Sequence, residues 1–136
     1  MITEDYVSFE TAKFLKDRGF NEKCRQYYYK DNLIHSRSEI CNEEFNNYKE
    51  VGEGWSASTL QMARKWLREK YHLHIEIRIT NHSMSDMVNI IKYYWVMTNT
   101  ETGRWCDEST IYTAKVFDKS EEAEEDAIRH ALEKYV

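Results

Sequence analysis

Proline is absent from these 136 residues, and glycine occurs only four times. The absence of proline excludes proline-rich linkers and slow prolyl isomerisation, and favours a compact fold. Cysteine is sparse as well. Cys24, Cys41 and Cys106 are odd in number and isolated, without a Cys-x-x-Cys pair, so free thiols are expected rather than a disulfide framework or a zinc ribbon. No apolar run approaches the roughly 18–20 residues of a membrane span. The opening Met1-Ile2-Thr3-Glu4-Asp5 lacks the basic and apolar regions of a secretion signal, so no membrane partner and a cytoplasmic location are expected. Internal repeats, low-complexity tracts and the Walker and G-x-G-x-x-G phosphate loops are also missing.

What is present argues for folding. Apolar residues make up 41% and aromatics 14%, well above the signature of disorder, while 32% charge keeps the surface wet. A chain of this length falls within or near the usual one-domain range of about 100–150 residues, and a single small domain over residues 1–136 is the expectation.

Ser8 can cap a first helix running to Arg18, with Gly19 ending it in a left-handed conformation. Tyr27-Tyr28-Tyr29, a turn at Asp31-Asn32 and Leu33-Ile34 then read as a strand, turn and strand. The polar stretch from Glu39 to Gly54 carries few elements that pattern alone can assign. From Ser56-Ala57-Ser58-Thr59 onward, Leu60, Ala63, Trp66 and Leu67 recur at helical spacing, which predicts a second helix ending near Tyr71. Leu73, Ile75, Ile77 and Ile79 alternate with His74, Glu76, Arg78 and Thr80, the period of a strand with one face on a core. A polar loop is expected around Asn81 to Ser85, a strand over Lys92 to Thr98, a turn at Thr100 to Gly103 and a third strand within Thr110 to Phe117. Asp118 with Glu121 forms an Asp-x-x-Glu capping box for a last helix, whose stripe is Ala123, Ala127, Ile128, Ala131, Leu132 and Tyr135. Helices near both ends and strands clustered after helix two predict an α+β fold, an antiparallel sheet packed by helices.

Charge is unevenly placed. Asp118, Glu121, Glu122, Glu124, Glu125 and Asp126 stand against Lys119 alone, a local excess equal to the whole chain's net charge of −5. Acids on the first turns of a helix are stabilised by its dipole, which accounts for them without a partner. The functional alternative is an acidic docking patch at Glu121, Glu122, Glu124 and Glu125 that steers a basic protein. Arg64, Lys65, Arg68 and Lys70 give helix two a basic face near Trp55 and Trp66, the pairing of cation and aromatic that holds single-stranded nucleic acid. Trp66 belongs to the apolar stripe, and the acidic balance lacks a dedicated nucleic-acid footprint.

Catalytic chemistry finds little support. Ser56, Ser58 and Thr59 at a helix start suit capping better than phosphate binding. His72, His74 and His82, with Cys106 or Cys24, follow no metal-ligand spacing, and no metal or cofactor is expected. A hydrolase-like protein would need a closed pocket holding Cys106 or a histidine beside an acid. Tyr27 to Tyr29 and Tyr93-Tyr94-Trp95 put aromatics on both strand faces, one of which needs cover from a helix or a partner.

The opening Met1 to Ala12 with Leu15-Lys16 and Gly19-Phe20, and Trp55-Ser56-Ala57-Ser58-Thr59-Leu60-Gln61 followed by Lys65 to Glu69 and Leu73-His74-Ile75, resemble a family of small uncharacterised proteins of Bacteroides-type gut bacteria, their prophages and phages. The likeness extends to the acidic Glu-Glu-Ala start of the last helix and brings no assigned activity or site residues. It implies a mobile-element accessory protein in a bacterial cytoplasm. The expected function is therefore a non-enzymatic protein-interaction or accessory protein of a phage or prophage, with a protein partner and room for self-association. The alternative is a nucleic-acid-associated factor using Arg64, Lys65 and Arg68 on the helix near 56–71.

Overall fold

The computed structural model describes residues 4–29, 32–35, 54–85, 88–109 and 115–136. Among them are three helices and two three-stranded antiparallel sheets, an α+β fold as expected. The chain forms two compact units, residues 1–63 with Val136 and residues 64–135.

In the first unit, α1 (Phe9–Asp17) begins where Ser8 Oγ accepts from the Thr11 N–H at 3.3 Å. It ends because Gly19, at φ +94°, turns the chain so that Phe20 N–H reaches the Leu15 carbonyl at 2.9 Å and Gly19 N–H the Lys16 carbonyl at 3.1 Å. Thr11, Ala12 and Leu15 are its buried face. The first sheet has the order β2-β1-β3, with β1 (Gln26–Tyr29), β2 (Asn32–His35) and β3 (Trp55–Ser56). Tyr29 pairs with Asn32, so Asn32 opens β2 rather than sitting in the turn. Tyr28 is buried and donates its hydroxyl to the Val7 carbonyl at 2.7 Å, while Phe9 packs on both Tyr28 and Trp55.

Helix α2 (Leu60–Tyr71) starts four residues later than the sequence pattern predicts. Ser56 is held in β3, Ala57 N–H donates to the Gln26 carbonyl, and the Ser58 carbonyl accepts from Val7 N–H, so extended pairing occupies the groups a helix would need. The cap is Thr59, whose Oγ1 accepts from Met62 N–H at 3.0 Å, and neither Ser56 nor Ser58 serves.

In the second unit, His72 adopts a left-handed φ of 57° and reverses the chain from α2 into β4 (Leu73–Ser85). β4 pairs with β5 (Val88–Asn99), which pairs with β6 (Trp105–Glu108). The loop expected at Asn81 to Ser85 is instead strand, paired opposite Ile91 to Val88. Asn99 Oδ1 accepts from Glu101 and Thr102 N–H in the expected turn, and Gly103 takes φ +70°. A third strand, β6 at Trp105–Glu108, is one that the sequence pattern did not predict; of the strand expected within Thr110 to Phe117, residues 110–114 lie outside the described residues and Phe117 forms a single bridge with Tyr93. The expected assignments over Glu39 to Gly54 fall almost wholly outside them too.

Helix α3 (Ser120–Lys134) packs on β4 and β5 through Ala123, Ala127, Ile128, Ala131 and Leu132. Its N-cap is Lys119 without a side-chain bond, so the Asp118 capping box does not form. Asp118 is drawn instead into an ion pair with Lys92 of β5.

Candidate interaction surface

The acidic run and the basic face meet. Arg64 Nη1 donates to Glu124 Oε1 at 2.9 Å, and Arg64 Nη2 donates to the Ile75 carbonyl, so one basic candidate and one acidic candidate are engaged with each other within the second unit. Asp126 accepts from the indole N–H of Trp95 at 2.8 Å. With Asp118 on Lys92, carboxylates at 118, 124 and 126 tie the run to the rest of the unit, while Glu121 and Glu122 are exposed and Glu125 is half-buried. On α2, Lys65 lies 3.9 Å from Glu69, and Lys65, Arg68 and Lys70 are exposed. Trp66 is buried, 5% exposed, with its ring edge-on to Tyr71, which removes it from base stacking.

A polar cluster that sequence spacing did not reveal joins α3 to β6. Asp107 Oδ2 lies 2.6 Å from His130 Nε2, accepts from Lys134 Nζ at 2.9 Å and from the Tyr135 hydroxyl at 3.3 Å. Asp107 Oδ1 accepts from Glu108 N–H at 2.9 Å. The His130 ring lies against Trp95, with 4.9 Å between centroids. Burial opposes ionisation of Asp107, yet donation from Lys134, His130 and the Glu108 amide outweighs it and holds the carboxyl at about 2. The signal available in sequence was His130 and Lys134 four residues apart on one helix face, but their acid lies 23 residues before His130 and only the strand pairing brings it there.

His130 beside Asp107 is a histidine next to an acid, and the nearby thiol is Cys106. Burial, followed by the neighbouring Asp107 charge, pushes the Cys106 thiol up, the opposite of an activated nucleophile. Among the described residues Cys106 makes no hydrogen bond to a histidine, and no three His, Cys, Asp or Glu side chains converge on a metal site. His72 is instead 3.2 Å from Glu101. An open concavity along α1, lined by Glu10, Lys13, Phe14, Asp17 and Arg18, lies in the other unit and holds neither a histidine nor a cysteine.

The β4–β5 hairpin carries the most distinctive surface. Cross-strand pairs Ile75–Met97, Ile77–Trp95 and Ile79–Tyr93 put these residues on one face, and alternation along β5 adds Ile91 to it. Near α3 that face is covered: Ile75 and Trp95 are each 1% exposed. Farther along the arm the apolar pattern continues without cover, leaving Ile79 64% and Ile91 56% exposed. Of the aromatic runs, Tyr28 and Trp95 are buried, Tyr29 is exposed, and Tyr27, Tyr93 and Tyr94 are half-buried. No helix among the described residues is long and apolar enough to cross a membrane. Comparison with protein-family models, curated proteins and solved structures found no match to this chain.

Proposed function

We propose that this protein is a non-enzymatic interaction module, an accessory factor of a phage or prophage, that docks a protein through the distal β4–β5 hairpin. The observation that carries the reading is the pair Ile79 and Ile91, large side chains left open on a face that is otherwise core. Two adjacent branched apolar residues offer the anchor of an interface, and half-buried Tyr93 between them supplies aromatic contact. Glu121 and Glu122 add exposed negative charge for steering a basic partner.

The test is affinity capture from a Bacteroides-type host lysate treated with nuclease, comparing wild type with Ile79→Glu/Ile91→Glu. A defined protein captured by wild type and lost from a folded double variant is the expected result. Capture that survives both substitutions rejects the hairpin as the docking element. The second reading, nucleic-acid association, draws on the exposed Lys65, Arg68 and Lys70 and predicts binding that weakens steeply with salt.

A further inference from the structure

We infer that the hairpin's partner is a second copy of this chain, joined by antiparallel pairing of the outer edge of β4 with itself about Ile77. The inference rests on the reading that the hairpin is a docking element, and it names the occupant.

β4 is the edge of its sheet, in the order β4-β5-β6, and no strand among the described residues pairs with its outer side. Which residues aim their backbone groups outward follows from the hydrogen bonds of β5. Tyr93 exchanges N–H and carbonyl bonds with Phe117, both 2.8 Å, on the side away from β4. Trp95 likewise accepts from Ser109 N–H at 3.0 Å on that side, and its own N–H donates to Ser109 Oγ at 3.0 Å. Their partners across the ladder, Ile79 and Ile77, therefore form non-hydrogen-bonded pairs with β5 and turn their N–H and carbonyl groups outward. Ile75 does the same by alternation, and the donation of Arg64 to its carbonyl agrees. Arg64 thus marks where the open edge begins.

Charge selects the register. On the exposed face Glu76 and Arg78 form an ion pair, with Arg78 Nε and Nη2 each 3.1 Å from a Glu76 carboxylate oxygen. A two-fold axis at Ile77 sets Glu76 opposite the partner's Arg78, and Arg78 opposite the partner's Glu76, in the close non-hydrogen-bonded positions. The axis moved one residue on, to Arg78, would set two arginines face to face, and moved one back, to Glu76, two glutamates. In the Ile77 register the outward groups also match. Ile77 exchanges two bonds with its symmetry mate, and each Ile75 N–H meets the partner's Ile79 carbonyl. The Ile75 carbonyl keeps its Arg64 donor, so the pairing ends there on each side. On the other face each exposed Ile79 comes beside the partner's buried Ile75, extending one apolar surface across the axis. The product is a continuous six-stranded sheet with no orphaned charge at its centre.

The test uses the purified full chain in sedimentation equilibrium, with circular dichroism as a folding control. Wild type is expected to pass from monomer to dimer in the micromolar range. Glu76→Arg alone and Arg78→Glu alone, each at a half-exposed position, are expected to weaken association about tenfold or more through like-charge contacts. An equimolar mixture of the two variants is expected to restore the dimer, because each then meets its opposite, and so is the double swap Glu76→Arg/Arg78→Glu. Wild type that stays monomeric at about 100 μM overturns the inference. So does a dimer indifferent to the single reversals, or a mixture of folded variants that stays monomeric. Lysate capture lost with Ile79→Glu/Ile91→Glu while purified wild type is monomeric would keep the docking role and reject the second copy.

Discussion

Replacing Asp107 with asparagine tests how β6 is fastened to the end of α3. One carboxylate oxygen meets His130, Lys134 and Tyr135 at 2.6, 2.9 and 3.3 Å, and the other takes the Glu108 amide. The fall of the carboxyl from 3.8 to about 2 corresponds to roughly 2 kcal/mol at about 1.4 kcal/mol per pKa unit. Solvent reaches the cluster and screens it, leaving about 1–2 kcal/mol. Because the folded-state value is depressed, this stabilisation is complete above the unfolded value near 3.8 and is lost as pH falls through about 2. Asp107→Asn should therefore unfold at lower urea, by about 1–2 kcal/mol at pH 7, and its deficit against wild type should close between about pH 5 and 2. The assay is urea denaturation of both proteins at several pH values, which cancels the carboxylates they share. A deficit that stays constant from pH 7 to 2 would refute the assignment of that stability to an ionised Asp107.

Two substitutions and one alkylation reaction check separate parts of the molecule. Thr59→Ala removes the α2 cap and should cost about 1 kcal/mol in urea unfolding, and Ser56→Ala, whose hydroxyl lies in β3, should leave helix initiation intact. Loss of α2 helicity by circular dichroism in the serine variant but not in the threonine variant would reverse the cap assignment. Cys106 should react with iodoacetamide slowly at neutral pH and accelerate only above the ordinary thiol range, since burial and Asp107 disfavour its thiolate. Rapid alkylation of Cys106 at pH 7, followed by peptide mass spectrometry, would contradict that environment.

Periodicity carried much of the fold. Ser8 and Gly19 bracket α1, the alternation of Leu73, Ile75 and Ile77 marks β4, and the alanine-rich stripe of α3 is buried as its spacing predicts. What the pattern missed depended on partners distant in sequence. Trp-Cys-Asp-Glu at 105–108 has no apolar alternation and becomes strand because β5 offers it an edge. Asp118 suits a helix cap locally, but Lys92 competes for it. Ser56 carries a capping hydroxyl yet follows β1 into a sheet. The candidate surface was half legible: the strand holding Ile79 was evident, whereas its exposure depends on where α3 stops covering the hairpin, and that is a property of packing. For Asp107 and His130, neither residue carries a spacing signal that names the other.

The β4–β5 pairing also bears on the order in which the molecule assembles. Its register, from Leu73 with Asn99 outward along the arm, joins residues close in sequence, so its loop-closure entropy is small and the two strands can meet before α3 is docked. Until that helix arrives, Ile75, Ile77, Trp95 and Met97 stand as open as Ile79 does in the finished structure. The hairpin then presents a full-length sticky face to neighbouring chains, and Glu76, Arg78 and Lys92 on its other side act as gatekeepers against disordered stacking during that interval.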